Sequence, residues 1–364
     1  MLRVLIIKLS AFGDIIHSLS VIDCFREYTE VYNKKVELHW LVEKKWSPIL
    51  KNYPGVDNLI VINTKEWRRS LFRRKTWREI LDFWSSLRMN MYDIVIDING
   101  LLRSAILARI ARTNQRVGFS KDSNFCRERH SVLFLDRTFS VSSGHVVDQT
   151  VRLLEKALNI EISKSVIPSM PSNDDAHRAA KEILRRNGLV PEGFAVIAAG
   201  GGWETKLLDE GLIAGLCDCV SQNGIRPVLS WDGENEKERA RRISGFAESD
   251  VVEFGDIPVD VFIEVLRMSH IVIGPDTGTV HAASAVETPT VSYYGPSSAG
   301  YSGPRRSTDR VVQISPDCGP CFKRRCDKGL CNNLNIRKVL DEINGQLMGE
   351  GIPEVAQIIK DDKG

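Results

Sequence analysis

Short apolar runs alternate with amphipathic segments along most of this chain. In its first third, the apolar runs predict buried strands at 2–7, 36–42, 58–63 and 92–98. Segments with helical periodicity lie between and after them, at 14–28, 76–89 and 101–111. This alternation is typical of a parallel sheet that carries helices on both faces.

A break in the pattern divides the chain into two such units. The amphipathic segment 145–158 is followed by 159–175, which contains two prolines and no clear period, and we interpret it as a linker. Further strands are predicted at 194–199, 226–231, 250–254, 270–276 and 288–294. The predicted fold class is therefore α/β, with two doubly wound domains facing a central cleft. Their predicted bounds are 1–165 and 166–340, followed by a helix and tail at 341–364.

The composition excludes several classes of protein. Apolar residues make up 43% and charged residues 26% of the 364 residues, as in ordinary globular proteins. The net charge of +2 is too close to zero for a general nucleic-acid binder, so we expect no nucleic-acid partner. The N-terminal apolar run is interrupted by Lys8 and Asp14 and predicts neither a secretory signal nor a membrane span. We expect a cytoplasmic protein.

Three loops at predicted strand ends carry candidate binding chemistry, because ligands of open α/β sheets lie at the carboxyl ends of the strands. The first loop is 8–14, where Gly13 permits a tight turn and Asp14 stands near the start of a helix. Asp14 is either a general base that faces the cleft or a cap of that helix, and its position favours neither. The loop lacks the G-x-G-x-x-G pattern of a dinucleotide site.

The second loop, 274–285, contains the tripeptide Asp-Thr-Gly directly after a strand. Aspartic proteases use the same tripeptide, but they are all-β proteins. In this chain the backbone N–H groups around Thr277 and Gly278 would open a helix, and a helix N-terminus stabilises a phosphate. The alternative is an ordinary helix that is capped by Asp276. His281 falls on the first helical turn, and its side chain has either a packing or hydrogen-bonding role or a catalytic one.

The third loop, 198–209, follows the first strand of the second unit and contains three consecutive glycines. Glycines allow the backbone to approach a ligand closely, and Lys206 is placed to neutralise a phosphate. The spacing does not match a Walker A loop. A flexible surface loop is the alternative interpretation.

The segment 65–78 has seven basic residues and one acidic residue, interleaved with large apolar side chains such as Trp67 and Trp77. In a chain of net charge +2, it creates a strong local positive field that predicts an anionic, amphiphilic partner. A solvated helix face is the alternative, although exposed tryptophans argue against it. The candidate acceptor-binding arginines of this segment are Arg68, Arg69, Arg73 and Arg74.

The eight cysteines form two groups. Four are scattered and are interpreted as small core residues: Cys24, Cys126, Cys217 and Cys219. The others follow a C-x2-C-x4-C-x4-C spacing: Cys318, Cys321, Cys326 and Cys331. Four thiolates this close in sequence can surround one tetrahedral ion, so we predict a structural zinc or iron site with no open position for catalysis. Disulfides or free thiols are the alternatives.

Together these segments resemble the bacterial heptosyltransferases of glycosyltransferase family nine. The resemblance covers 1–302 and is carried by K-L-S-A-F-G-D-I-I-H, by G-G-G-W-E-T-K, and by D-T-G-T-V-H-A-A-S-A followed by Y-Y-G-P. It implies the GT-B architecture of two Rossmann-like domains, with the acceptor on the N-terminal domain and the nucleotide sugar on the C-terminal domain. It also implies inverting transfer of L-glycero-D-manno-heptose from an ADP-sugar to the inner core of lipopolysaccharide.

The resemblance further implies roles for individual residues. Asp14 would be the general base, and no metal cofactor would be needed for catalysis. The donor site would be formed by Lys206, Glu236, Asp276, Thr277, Gly278 and His281. Arg127 would contact the acceptor. The segments around Arg127 and at 65–78 resemble those of the family members that add the first heptose to Kdo on lipid A.

The implied partners are ADP-heptose, a lipid A-Kdo acceptor and the inner face of the cytoplasmic membrane, where the protein would bind peripherally. The cysteine spacing is more like that of relatives that act on a heptose or a protein acceptor. Two further hypotheses stay open: another nucleotide-sugar enzyme of the same architecture, and a noncatalytic nucleotide-sugar-binding protein.

Overall fold

The frame of the protein is two six-stranded parallel sheets. The computed structural model describes residues 1–70, 72–123, 125–141, 144–162, 166–331 and 335–348. The first sheet contains β1 (Leu2–Ile7), β2 (Val36–Glu43), β3 (Asn58–Ile62), β4 (Ile94–Asp97), β5 (Arg116–Phe119) and β6 (Arg137–Phe139). The second contains β7 (Phe194–Ala198), β8 (Arg226–Trp231), β9 (Val252–Gly255), β10 (Ile271–Pro275), β11 (Thr290–Tyr294) and β12 (Asp309–Gln313).

Both sheets have the same strand order. In the first sheet it is β3-β2-β1-β4-β5-β6, and in the second it is β9-β8-β7-β10-β11-β12. This is the doubly wound order in which the chain reverses direction beside the first strand, and ligands bind at that point. The two parallel sheets confirm the predicted α/β class.

Helices connect the strands. They are α1 (Phe12–Ser18), α2 (Ser20–Tyr32), α3 (Ser47–Leu50), α4 (Thr64–Arg69), α5 (Arg74–Met89), α6 (Leu102–Ile110), α7 (Val146–Leu158), α8 (Asp174–Arg186), α9 (Glu210–Gln222), α10 (Glu234–Phe246), α11 (Val259–Arg267), α12 (Gly278–Ala285), α13 (Ala299–Ser302) and α14 (Arg337–Met348). None of the helices in the described ranges combines the length and apolar character that a bilayer crossing requires.

Strand β1 shows why an unbroken apolar run forms a central strand. Val4 and Ile6 pack in the cluster that includes α2 and α7, whereas Leu5 and Ile7 pack in the cluster that includes α5 and α6. Successive side chains of a strand point to opposite faces, so a strand that is covered on both sides needs apolar residues at every position.

The predicted elements are present, with different bounds in places, and six others were not predicted. The segment 14–28 predicted as one helix is two, α1 and α2, which meet at Leu19. The missed elements are all short: α3, α4, α13, β5, β6 and β12. In the predicted linker 159–175, the described residues 159–162 and 166–173 form neither helix nor strand, whereas 174–175 already belong to α8. The last helix begins at Arg337 rather than 341, and 349–364 lie outside the described residues.

The starts of α1 and α12 meet between the two sheets. A Cβ on Gly278 would lie 2.5 Å from Cδ1 of Phe12, and a Cβ on Gly13 would lie 3.0 Å from Cδ2 of His281. Glycine at both positions therefore lets the two helix starts approach at backbone distance. This contact places the loops that follow β1 and β10 opposite each other.

A glycine in the turn after β4 gives a test of the fold. Gly100 has φ +66°, and a Cβ there would lie 1.9 Å from the carbonyl oxygen of Phe125. We expect Gly100→Ala to lower the free energy of unfolding by at least about 3 kcal/mol, because left-handed strain and a backbone clash add. Gly188→Ala is the control: its φ of +64° is similar but the space is open, so about 1 kcal/mol is expected. Equal losses in urea unfolding would contradict the clash.

Candidate active site

A cleft of about 1280 Å³ lies between the two sheets. Asp14 and Arg127 line it from the first sheet's side. From the second sheet's side it is lined by all six predicted donor residues: Lys206, Glu236, Asp276, Thr277, Gly278 and His281. The fold thus brings together residues that the sequence separates by more than two hundred positions.

Asp14 lies in the first turn of α1. Its Oδ2 accepts the backbone N–H of Ala11 at 3.3 Å and the Nη2–H of Arg127 at 3.2 Å. The first contact belongs to the start of the helix, so the capping alternative describes a real interaction. Within the described residues nothing donates to Oδ1, and the side chain is 22% exposed in the cleft. The cap contact therefore leaves one carboxylate oxygen available to accept a proton.

Two cations set the charge state of Asp14. Burial opposes its ionisation, but the charges of Lys8 and Arg127 outweigh burial and hold the pKa of Asp14 below its usual value. The Lys8 ammonium is buried and donates to the carbonyl of Ile98 at 3.3 Å. Burial lowers the pKa of Lys8, and the Asp14 carboxylate opposes that effect. Asp14 is consequently ionised at neutral pH.

Lys206, Asp276 and His281 form one network beyond β10. Nζ of Lys206 donates to Oδ2 and to the backbone carbonyl of Asp276, both at 2.7 Å. Nε2 of His281 lies 3.1 Å from Oδ1 of Asp276, and the hydroxyl of Ser302 donates to the same oxygen. Burial would raise the pKa of Asp276, but the His281 hydrogen bond and the Lys206 charge hold it far below its usual value. Asp276 is thus an anionic anchor that orients the lysine and the histidine.

Thr277, and not Asp276, is the N-cap of α12. The alternative of a helix capped by Asp276 is therefore wrong, since that carboxylate is used by the network. Oγ1 of Thr277 is buried and has no hydrogen-bond partner among the described residues. A buried hydroxyl without a partner is uncommon, and an anionic ligand at the helix start would satisfy it together with the free N–H groups.

The glycine-rich loop makes room for Glu236. A Cβ on Gly200 would lie 2.1 Å from Cδ of Glu236, so the loop backbone passes directly against this carboxyl. Glu236 accepts the backbone N–H of Asp232 at 3.0 Å, and burial raises its pKa. It follows β8, the second strand of its sheet, where doubly wound domains hold the ribose of a nucleotide. The loop lines the cleft, which argues against a flexible surface loop.

The predicted acceptor arginines of 65–78 are not among the residues that line the cleft. All four are exposed, on α4, on the turn that follows it and at the start of α5: Arg68, Arg69, Arg73 and Arg74. Trp67 has a packing role, since it donates to Glu79 at 3.2 Å and its ring meets that of Phe83. The structure therefore places the basic segment on an outer surface, and any acceptor contact there is made outside the cleft.

All eight cysteines are free thiols. The scattered group is buried, which confirms its core role: Cys24, Cys126, Cys217 and Cys219. In the other group, burial and then the nearby Cys321, Cys318 and Cys326 raise the pKa of Cys331. In the described ranges, however, no three His, Cys, Asp or Glu side chains are arranged to hold one metal ion. The geometry thus does not supply the zinc or iron site that the spacing predicts, and that site stays a prediction.

Several residues that no sequence motif predicted also line the cleft. Lys45 forms an ion pair with Asp232 across the cleft. The ring centre of Trp203 lies 4.3 Å from Nζ of Lys206. Phe322 and Arg324 reach the cleft from the loop that carries the clustered cysteines. Trp203 was detectable, because it directly follows the three glycines. Lys45 comes from a segment with no motif, and Phe322 and Arg324 lie within the cysteine spacing, which predicted a metal site and not a place in the cleft.

The chain is similar to known proteins along most of its length. The model of "Glycosyltransferase family 9 (heptosyltransferase)" matches residues 80–331. The chain is 29% identical over 330 residues to lipopolysaccharide heptosyltransferase 1 of Pseudomonas aeruginosa, covering 89% of this chain and 87% of that protein. It is 27% identical over 345 residues to the protein of the same name from Escherichia coli K12, covering 94% and 99%.

Solved structures show the same fold. Escherichia coli heptosyltransferase WaaC with ADP superposes with a TM-score of 0.70 at 26% identity, covering 86% of this chain and 93% of that one. Escherichia coli ADP-heptose lps heptosyltransferase II reaches 0.74 at 17% identity, covering 96% and 99%. The predicted GT-B architecture is confirmed. With a family match over most of its length, the chain belongs to glycosyltransferase family 9, the heptosyltransferases, and is a glycosyltransferase.

Proposed function

We propose that this enzyme transfers heptose from ADP-L-glycero-D-manno-heptose to the Kdo region of the lipopolysaccharide inner core, with inversion. The observation that carries the proposal is that Asp14 and the Lys206–Asp276–His281 network face one cleft from opposite domains. In this scheme 1–165 binds the acceptor and 166–340 binds the donor. The relatives named lipopolysaccharide heptosyltransferase 1 support the acceptor, and WaaC solved with ADP-2-deoxy-2-fluoro heptose supports the donor.

The reaction is a direct displacement. The acceptor hydroxyl loses its proton to Asp14 while its oxygen forms a bond to the anomeric carbon of the heptose. The bond from that carbon to the diphosphate breaks, and ADP leaves. Lys206, the Thr277 hydroxyl and the N–H groups at the start of α12 hold the charge that develops on the diphosphate. Attack opposite the leaving group inverts the configuration, and the scheme uses no catalytic metal.

Arg127 links the acceptor to the base. It donates to Asp14 in this structure, and an acidic sugar such as Kdo presents a carboxylate that competes for the same guanidinium. Once Arg127 binds that carboxylate, it no longer lowers the pKa of Asp14 as strongly. Binding of an acidic acceptor would thus make Asp14 a stronger base at the moment when its proton has to be taken.

The first test removes the base. Asp14→Asn keeps an oxygen that can accept the Ala11 N–H, so the helix start and ADP affinity should be preserved. We expect kcat to fall by about 100-fold or more, as for loss of a general base. Turnover assays with ADP-heptose and Kdo-lipid A, together with calorimetry of ADP, measure both quantities. Near-normal turnover would reduce Asp14 to a helix cap.

The second test uses pH. Because Arg127 lowers the pKa of Asp14, Arg127→Gln should raise that pKa. The base is active only when it is ionised, so the acidic limb of the kcat/KM profile should move to higher pH. Arg129→Gln, an exposed arginine outside the cleft lining, serves as control and should leave the limb unchanged. If the acidic limb of Arg127→Gln stays at the same pH, Arg127 does not lower the pKa of the catalytic base.

We also propose that the enzyme works in the cytoplasm at the inner face of the cytoplasmic membrane and docks there through α4 and α5. Three side chains are 55%, 65% and 46% exposed on one stripe of α5: Trp77, Leu81 and Trp84. Arg74 and Arg88 lie at either end of this stripe, and Phe72 is fully exposed beside it. An apolar stripe within a basic surface matches an anionic bilayer, where apolar groups insert and arginines meet phosphates.

Vesicle binding tests this surface. Replacing Arg68, Arg69, Arg73 and Arg74 by Ser should reduce co-sedimentation with phosphatidylglycerol vesicles and raise the KM for a lipid-anchored acceptor, while the donor KM stays constant. The control replaces four exposed basic residues of α8 by Ser: Arg178, Lys181, Arg185 and Arg186. If both variants lose vesicle binding equally, the loss reflects the lower net charge and not a specific membrane-binding surface. If only the donor KM changes, the basic segment does not bind the acceptor.

A further inference from the structure

Among the described residues, the cleft is lined by four lysine and arginine side chains, and three are already paired with carboxylates of the protein. The pairs are Lys45–Asp232, Arg127–Asp14 and Lys206–Asp276. The fourth cation, Arg324, lines the same cleft and forms no ion pair within the described ranges. It therefore offers a positive charge that forms no ion pair with any carboxylate of the described residues.

Arg324 lies beside the phosphate-binding part of the cleft. Its guanidinium carbon is 5.6 Å from the ring centre of Trp203, and Nζ of Lys206 is 4.3 Å from the same ring. The electron-rich face of an indole attracts cations, so both positive groups contact Trp203. Lys206 and Arg324 thus share one aromatic neighbour and line the same cleft, and a diphosphate has separate phosphates to offer to each.

The backbone on the N-terminal side of Arg324 is held in place by the donor domain. The N–H of Phe322 donates to the carbonyl of Pro296 at 2.8 Å, and the hydroxyl of Thr205 donates to the carbonyl of Lys323 at 2.6 Å. Thr205 precedes Lys206 in the chain, so the loop that carries Arg324 is tied to the loop that carries the lysine. This anchoring gives 318–331, the loop of the four clustered cysteines, a place in the wall of the cleft.

We propose that Arg324 is a further donor-binding residue, which supplies the unbalanced positive charge that a nucleoside diphosphate requires. The inference rests on the proposed use of an ADP-sugar. A diphosphate carries more than one negative charge, whereas the charge of Lys206 is already offset by Asp276. The planar guanidinium of arginine can donate two parallel hydrogen bonds to phosphate oxygens. The cysteine loop thereby has a function in binding that does not depend on whether its thiols hold a metal.

Calorimetric titration of the full chain with ADP and with adenosine tests the proposal. Arg324→Gln should weaken ADP binding by about tenfold, as for loss of a hydrogen-bonded charge, and should flatten its salt dependence. Adenosine affinity should not change, because adenosine has no phosphate. Arg324→Lys, which keeps the charge but loses the planar fork, should be intermediate. Arg325→Gln is the matched control: Arg325 pairs with Glu204 at 3.8 Å, lies outside the cleft lining and should bind ADP as the unmodified chain does.

A second variant separates failure of this inference from failure of the proposed function. Lys206→Ala should weaken ADP binding if the donor site is where we place it. If Lys206→Ala weakens ADP binding and Arg324→Gln does not, Arg324 is not a donor-binding residue and the donor site stands. If the unmodified chain binds no ADP, or if Lys206→Ala binds it unchanged, the proposed donor site itself is wrong, and the Arg324 assignment falls with it.

Discussion

The backbone contact between the starts of α1 and α12 is the constraint on which the site depends. A Cβ on Gly278 would lie 2.8 Å from the backbone nitrogen of Gly13, a distance that real Cβ atoms do not adopt. A side chain at position 278 would therefore collide with the start of α1. Because Asp14 follows Gly13, and Asp276 and His281 flank Gly278, this one contact places the proposed base beside the proposed donor site.

Internal ion pairs keep the cleft nearly neutral. A charge that is partly buried without a partner is costly, so Asp14 and Asp276 each lie against a cation of the protein. The cations of these two pairs, Arg127 and Lys206, are also the groups that the proposed acceptor and donor would bind. An acidic acceptor would exchange with Asp14 for Arg127, and a diphosphate would share Lys206 with Asp276 and add Arg324. Each ligand would then bind by redistributing hydrogen bonds that the protein already makes.

The central strands and the glycine loops could be predicted because their signals are local. Strand β1 is apolar at nearly every position, since both faces of the sheet are covered, and this pattern is visible in six residues. The edge strand β12 was missed because several of its positions are exposed and its apolar signal is correspondingly weak. The basic segment was predicted as the site of an anionic, amphiphilic partner from its charge and its interleaved apolar side chains, but neither property indicates which surface of the molecule it occupies.

The sequence by itself determined the two α/β units, the loops at the strand ends and the residue types that those loops offer. These properties follow from periodicity and from conformational preferences within a few residues of chain. Tertiary structure decided which charges meet. Arg127 reaches Asp14 across 113 positions, Lys206 reaches Asp276 across 70, and Lys45 reaches Asp232 across 187. Such pairs depend on how two separately patterned sheets pack against each other, and no local pattern along the chain encodes that packing.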